Sequence, residues 1–467
     1  MHRTLLCVMA LAVAWGAPST GRAQDAELSK LREEVRQLRQ AYESRIQALE
    51  QRLQETEAKA GKTEQSAAQA ETSAARAGAR PAGESSFNPA VSLILQGTLA
   101  GSSRNPDNYR ISGFVPPGGE IAPPRRGFSL AESELIVSAN VDPYFRGQFT
   151  AALTPENEVE VEEAYFQTLA LGRGFTLKGG RFLSGIGYQN EIHQHAWDFQ
   201  DASLVYKAFL GGRLNDDGLQ LRWVAPTDLV VELGAELGRG RQFPGADRNR
   251  NSVANAGSLF GRVGGDIGAS TAWRVGFSYL SASPQARSYD DLDSTGVGVS
   301  NSFSGRTRLW GLDGILKWAP NGNSTHTNLK LQGEYFRRSE SGSLTYDTQA
   351  ASLGTQSGSY RSRQSGWYLQ GVYQFVPQWR AGYRYDRLSA GKTSIDIVGT
   401  GALSAADFPI LGGYSPKRNT LMVDWSPTEF SRVRLQLARD YSRMGEPDNQ
   451  ILLQYIMSLG AHGAHRF

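Results

Sequence analysis

Hydrophobic and polar residues alternate along most of the chain from Phe128 onward. In residues 273–279, Trp, Val, Phe and Tyr occupy one parity, while Arg, Gly and Ser occupy the other. A period of two predicts β-strands, because successive side chains of a strand point to opposite faces. The polar parity carries charges in nearly every strand, and the apolar parity is rich in aromatic residues and leucine. This combination indicates a closed barrel with lipid outside and water inside.

The connections between these segments give the number of strands. Seven are short turns with Pro or Gly, at 141–143, 171–174, 225–227, 267–270, 319–321, 376–378 and 426–428. The eight others are 102–126, 154–159, 184–217, 240–256, 283–304, 339–362, 389–414 and 442–447, and most of them are long and polar. Short turns on one side and long loops on the other are typical of outer-membrane barrels. Seven turns and eight loops predict an all-β transmembrane barrel of about 16 antiparallel strands over residues 89–467.

Three further segments precede this barrel. Residues 1–23 have the positive start, short apolar run and small-residue site of a signal peptide. Residues 25–57 place Leu28, Leu31, Val35 and Leu38 at alternating spacings of 3 and 4, which predicts an α-helical coiled coil. Residues 58–88 read as a linker rich in Ala, Gln and Ser. We expect the coiled coil to join chains in the periplasm, and a solitary solvated helix is the alternative.

We expect deletion of residues 25–86 to weaken the oligomer and to leave the barrel folded, because the backbone hydrogen bonds of a closed barrel are satisfied internally. Cross-linking would measure the oligomer, and heat-modifiable gel mobility would report the folded monomer. Disappearance of the folded monomer band would contradict the prediction.

Composition narrows the function classes. The chain has 467 residues, of which 40% are hydrophobic and 10% aromatic, and its 52 glycines suit a large β protein with many turns. A formal charge of +3 gives no indication of nucleic-acid binding. The single cysteine, Cys7, falls within the signal peptide. Neither a nucleophile-elbow, Walker-type nor zinc-hydrolase motif occurs, so we predict that the protein is not an enzyme.

Charged residues on the polar parity are predicted to line the pore. They are Arg146, Arg222, Arg262, Arg274, Lys330, Arg380, Arg384, Arg434, Glu132, Glu134, Glu232, Asp266 and Asp424, with Glu163, Glu236, Glu334 and Asp386 on the same parity. The opposite parity carries Phe149, Leu221, Leu233, Phe277, Leu331, Tyr383 and Val423. Because both signs of charge occur, the pore is expected to pass small hydrophilic solutes, with anions among them.

Four of the six histidines form two close pairs, His193 with His195 and His462 with His465. Imidazole is a preferred ligand of Zn²⁺ and Cu²⁺, so both pairs are candidate metal ligands. No cofactor is otherwise required. The first pair lies in the third outer loop, where Glu191, Asp198 and Asp201 could add oxygen ligands. The alternatives are a polar loop surface for the first pair and a role in assembly for the second.

The signal peptide, coiled coil, linker, strand pattern and terminal Phe467 together make the chain similar to Gram-negative porins. Over about residues 90–467 it resembles the phosphate-selective porin O and P family. The resemblance implies a homotrimeric channel in outer-membrane lipid, with the third outer loop folded into the barrel. It also implies recognition by the barrel-assembly machinery through the last strand and Phe467. The segments 180–199 and 462–467 are similar to zinc-regulated outer-membrane receptor-like proteins.

Three functions follow from these observations. The first is a porin-like channel in the outer membrane for diffusion of small hydrophilic solutes. The second is a zinc- or metal-linked uptake protein, which the histidine pairs favour. The third is a structural tether, in which the barrel only anchors the periplasmic coiled coil.

Overall fold

The computed structural model describes residues 89–118, 121–246, 253–398, 400 and 403–460 of the unit Phe87–Phe467. Of the unit Met1–Ser86 it describes only Arg36, which is helical. The predicted signal peptide, coiled coil and linker therefore lie outside the described residues, as do His462, His465 and Phe467. Among the described residues, no helix combines the length and the hydrophobicity that a membrane crossing needs.

The described residues from Ala90 onward form one antiparallel sheet that closes on itself. Its strands are β1 Ala90–Ser102, β2 Gly127–Leu130 with Ser133–Asn140, β3 Phe145–Leu153, β4 Val159–Thr168, β5 Phe175–Leu183, β6 Asn215–Val224, β7 Val230–Gly238, β8 Ala256–Ile267, β9 Thr271–Ala282 with Arg287–Leu292, β10 Gly298–Trp318, β11 Asn328–Tyr346, β12 Gln356–Val376, β13 Trp379–Ile395, β14 Lys417–Thr428, β15 Ser431–Asp440 and β16 Asp448–Gly460. Both pieces of β2 pair with β1, and both pieces of β9 pair with β10.

Closure comes from the pairing of the first and last strands. Strand β16 pairs with β1 from Ser92 opposite Gly460 to Ser102 opposite Gln450. Every other strand pairs with its neighbours in sequence, so the sheet has no free edge. The prediction of a closed barrel of sixteen antiparallel strands is confirmed.

The outer face of the barrel is apolar. The seven residues predicted to face outward, Phe149, Leu221, Leu233, Phe277, Leu331, Tyr383 and Val423, are between 40 and 49% exposed. Trp318, Trp379 and Trp425 are also exposed, next to the short turns, and the last two stack with ring centroids 6.0 Å apart. Aromatic residues at the rim of an apolar belt are typical of barrels that lie in a bilayer.

Strands β10–β13 are 17–21 residues long, whereas about 9–11 residues cross a bilayer. They continue past the long-loop end of the barrel, so the connections predicted at 283–304, 339–362 and 389–414 are too long. Between β11 and β12, for example, only residues 347–355 lie outside the strands. These strand extensions could not be predicted from the sequence because they are rich in Ser and Gly, which have low β propensity. Hydrogen bonding to both neighbouring strands outweighs that propensity.

Candidate functional site: the loop inside the barrel

The connection between β5 and β6, residues 184–214, folds into the barrel and is called loop 3 here. Its two ends are joined, because the Ser184 N–H donates to the Leu214 carbonyl at 3.0 Å. The buried Asn190 strengthens this junction. Its amide nitrogen donates to the carbonyls of Ser184 and Leu214, both at 2.8 Å, and its oxygen accepts from the Leu214 N–H at 2.7 Å. Loop 3 thus leaves and rejoins the barrel wall at one fixed point.

Loop 3 carries a short apolar helix, α1, at Leu204–Leu210. All seven of its residues are buried. On the barrel wall, Oδ1 of Asp386 accepts the N–H of Leu204 at 2.9 Å, which satisfies one of the free donors at the start of the helix. The helix ends at Gly211, where φ is +67°, a conformation that glycine adopts without strain.

Around α1 lies an apolar cluster with three sources. Loop 3 contributes Ile186, Trp197, Leu204, Val205, Tyr206, Phe209 and Leu210. The 103–126 connection contributes Ile111, Phe114 and Ile121, and the barrel wall contributes Leu280, Leu309, Phe336, Tyr368 and Leu388. Phe114 lies 5.7 Å from Phe209, and Tyr206 meets Phe336 edge-on at 5.5 Å. Burying one such side chain stabilises by about 1.5–3 kcal/mol. The barrel interior is therefore packed, and not only polar, at the level of α1.

A single wall carboxylate holds the start of loop 3. Glu334 of β11 accepts the backbone N–H groups of Tyr188 at 2.9 Å and Gln189 at 3.0 Å. The hydroxyl of Tyr206 in α1 donates to the same carboxylate at 2.8 Å. Glu334 thereby fixes two separate parts of the loop to one point on the wall.

Each of three acidic residues of loop 3 lies between two basic residues of the wall. The sets are Glu191 with Arg222 and Arg262, Asp198 with Lys330 and Arg380, and Asp201 with Arg384 and Arg418. Lys207 of α1 also contacts Asp201, at 2.9 Å. Although burial raises the pKa of Asp201, the neighbouring Arg418, Lys207 and Arg384 hold it well below its usual value. Loop 3 therefore places three carboxylates against the basic part of the barrel wall, where wall carboxylates such as Glu232, Asp424 and Asp386 balance further charges.

The two histidines of loop 3 face the acidic part of the wall instead. Nδ1 of His193 lies 3.1 Å from Oε2 of Glu134 and 3.2 Å from Oε2 of Glu162, and its Nε2 lies 2.9 Å from Oε2 of Glu163. Nδ1 of His195 lies 3.0 Å from Oε1 of Glu134. Burial lowers the pKa of His193, but the carboxylates of Glu134 and Glu163 outweigh burial and raise it well above its usual value.

A β-bulge explains why two adjacent glutamates reach these histidines. The register between β3 and β4 shifts between Thr150, which pairs with Glu163, and Ala151, which pairs with Val161. Glu162 is the extra residue, and both Glu162 and Glu163 are buried. Strict alternation would place only one of them inside. The sequence pattern therefore identifies Glu163 and misses Glu162.

The other predicted pore-lining residues are distributed unevenly. Arg274 pairs with Asp313 at 3.3 Å, Glu232 with Arg262 at 3.1 Å, and Arg380 with Asp424. The guanidinium of Arg434 donates to the Trp197 carbonyl of loop 3, whereas Glu132 lies 3.6 Å from Arg213. Arg146 and Asp266 are exposed beside the short turns and far along their strands from loop 3.

One expectation about the histidines is wrong. Glu191, Asp198 and Asp201 do not add oxygen atoms to the histidine pair, because each is paired with arginine or lysine elsewhere on the wall. The carboxylates beside the histidines come from β2 and β4, far away in sequence. Among the described residues, Glu134, His193 and His195 form the group whose ligand atoms lie close enough together to hold a metal ion.

A protein of Aquifex aeolicus (strain VF5), described as uncharacterized, is 30% identical over 413 residues, which cover 83% of this chain and 81% of that protein. No protein-family model matches the chain.

Solved structures with similarity to this chain include Pseudomonas putida OprB at high pH, with 13% identity, coverage of 79% of this chain and 94% of that chain, and a TM-score of 0.46. The anion-selective porin from Comamonas acidovorans shares 9% identity, covering 80% and 99% of the two chains, with a TM-score of 0.45. The outer membrane channel DcaP of Acinetobacter baumannii shares 10% identity, covering 80% and 97%, with a TM-score of 0.44. These scores lie below 0.5, so they assign neither a solute nor an assembly to this chain.

Proposed function

The chain belongs to the same family as the uncharacterized Aquifex aeolicus protein, and for this protein we propose the function of a porin-like channel in the Gram-negative outer membrane. The observation that carries the proposal is the pairing of an apolar outer face with an inner wall lined by charged residues, in a barrel of sixteen strands. Barrels of this size are wide enough for an aqueous path. A barrel that served only as an anchor would have no need of so many ionised groups inside.

We propose that loop 3 forms the constriction of this channel. It lies across the interior and contacts the wall from β1 to β15, for example through the Gln200 side chain to Thr98 and the Gln200 N–H to Gln436. Solutes would pass between loop 3 and the wall, so the cross-section depends on how the loop is docked. Small hydrophilic molecules are the solute class that such a path admits.

The pairing of charges bears on selectivity. Six basic residues of the wall pair with the three loop carboxylates Glu191, Asp198 and Asp201. Most of the six also pair with wall carboxylates, namely Glu232, Asp424, Asp386 and Asp440, so together they attract anions less than their number suggests. We therefore propose a channel with weak charge selectivity. The finer resemblance to phosphate-selective porins and the homotrimer remain predictions.

Shortening loop 3 should raise the single-channel conductance several-fold. Residues 186–212 would be replaced by a four-residue turn, which the hydrogen-bonded ends at Ser184 and Leu214 can accommodate. The measurement is conductance of the full chain in planar bilayers. The matched control is a variant with a shortened 347–355 connection, whose residues 348–351 are exposed. This control should have the same conductance as the parent.

Two results would contradict the proposal. Equal conductance of the parent and the loop 3 variant would show that the loop is not the constriction. Folded protein that never conducts, with or without loop 3, would favour the structural tether.

A further inference from the structure

We propose that Glu134, His193 and His195 bind one divalent transition-metal ion, and that this ion fastens loop 3 to strand β2. Both histidines come from loop 3 and the glutamate comes from the wall. A bound ion would therefore join loop 3 to the barrel wall. Only this effect on the channel rests on the proposed function, since metal binding itself does not.

The distances suit a shared ion. The candidate ligand atoms of the three residues all lie within 4.8 Å of one another, and the two closest histidine–glutamate separations are 3.0 and 3.1 Å. Ligand atoms about 2.0–2.2 Å from a tetrahedral zinc ion are separated by about 3.4 Å. An ion at their centre thus requires only small shifts of side chains that already converge.

A second observation concerns the carboxylate of Glu134. Oε2 of Glu134 is buried and accepts no hydrogen bond from any described residue, although it lies 3.1 Å from the ring of His193. Glu134 as a whole is 0% exposed. Among the described residues this oxygen has only the ion-pair contact with His193, and a metal ion held between the two side chains would give it a directed bond instead.

The surroundings of His193 are those of a metal ligand. Its Nε2 lies 2.9 Å from Oε2 of Glu163 and would keep its proton toward that carboxylate, whereas an ion bound at Nδ1 would displace the proton that Nδ1 directs at Glu134 and Glu162. Metal-bound histidines usually donate their second nitrogen to a carboxylate in this way. Oε2 of Glu162 also lies 3.2 Å from the same Nδ1, while its Oε1 pairs with Arg213.

A divalent cation is also compatible with the charge of this cluster. Glu132, Glu134, Glu162 and Glu163 carry four negative charges around the histidines, while Arg213 and Lys178 are the cations that act on them. Two negative charges remain, and either two imidazolium protons or one divalent cation balances them. Two nitrogen donors and a carboxylate favour Zn²⁺ and its neighbours over Mg²⁺ and Ca²⁺, which prefer sites made only of oxygen.

The test is a calorimetric titration with Zn²⁺ of the metal-free, full-length protein in detergent. The protein would carry no polyhistidine tag. We expect one Zn²⁺ per chain. The variants Glu134→Gln and His195→Ala should bind at least tenfold more weakly. The variant His326→Ala is the matched control, since His326 is exposed beside a short turn, and it should bind as the parent does.

Three results would overturn the inference. One is folded parent protein that takes up no zinc, which would leave the cluster balanced by protons. Another is binding that survives Glu134→Gln but disappears in the double variant His462→Ala and His465→Ala. If the variants do not fold, Co²⁺ would be added to the parent protein. It should give the visible absorption of tetrahedral, histidine-bound cobalt, and Zn²⁺ but not Mg²⁺ should remove that absorption. The third contradicting result is the absence of this absorption.

The inference and the proposed function fail in different measurements. Stoichiometric zinc binding by a protein that does not conduct would overturn the channel and keep the metal site. Conductance by a protein that does not bind zinc would overturn the metal site and keep the channel. If both hold, Zn²⁺ should lower the conductance of the parent and leave that of His195→Ala unchanged.

Discussion

The variant Asp201→Asn is expected to release loop 3 from the basic side of the barrel interior. Asp201 contacts Arg384 and Lys207 at 3.1 and 2.9 Å, and it also pairs with Arg418. These three basic residues are between 1 and 3% exposed, so water cannot replace the lost carboxylate without movement of the loop. Removing one partner from a buried ion pair costs about 3–5 kcal/mol. That is enough to shift a docked loop toward an undocked state.

Hydrogen–deuterium exchange of peptides from residues 184–214 would measure this release, and exchange should become faster by at least tenfold. Single-channel conductance should rise toward that of the shortened loop. Asn keeps the size of the side chain and one acceptor, so any effect comes from the charge. The matched control is Asp107→Asn, because the pair of Asp107 with Arg125 is a surface pair at 3.6 Å with side chains 63 and 77% exposed. Exchange in loop 3 that stays as slow as in this control would disprove the role of Asp201.

The barrel itself could be predicted from the sequence because the two faces of each strand lie against different media, lipid outside and water or polar groups inside. Phe277 and Leu331 face outward and Arg274 and Lys330 face inward, and this alternation is visible within single strands. The number of strands follows from the turns between them. Such information is local, so a single sequence contains it.

The interior contacts could not be predicted in the same way. Whether Asp198 meets Lys330 or a histidine depends on the path of loop 3 through the barrel and on the register of strands far away in sequence. The bulge in β4 is a further example, because it turns Glu162 inward against the alternation. One signal was available: residues 204–210 include Leu, Val, Tyr, Phe and Leu within a loop, an apolar run that indicates a buried segment.

The variant Gly187→Ala should detach the start of loop 3 from Glu334. Gly187 has φ of +67°, and a Cβ at this position would lie 2.3 Å from Oε2 of Glu334 and 2.3 Å from the Tyr206 hydroxyl. Both atoms belong to the hydrogen-bonded group that fixes the loop, so neither can move away without losing its partner. Hydrogen bonds to a charged group contribute about 1.5–3 kcal/mol each. Loss of two or three of them would undock Tyr188, Gln189 and α1 together.

The control for this variant separates steric overlap from backbone strain. Gly212 lies in the same loop with φ of +100°, and a Cβ there would meet no atom within 4 Å. The variant Gly212→Ala therefore carries the strain of a positive φ without steric overlap, about 1–3 kcal/mol. Hydrogen–deuterium exchange of residues 184–214 should be much faster in Gly187→Ala than in Gly212→Ala, and only the former should gain conductance. If the two variants behave alike, the contact with Glu334 does not hold the loop, and the ion pairs of Asp198 and Asp201 must do so without it.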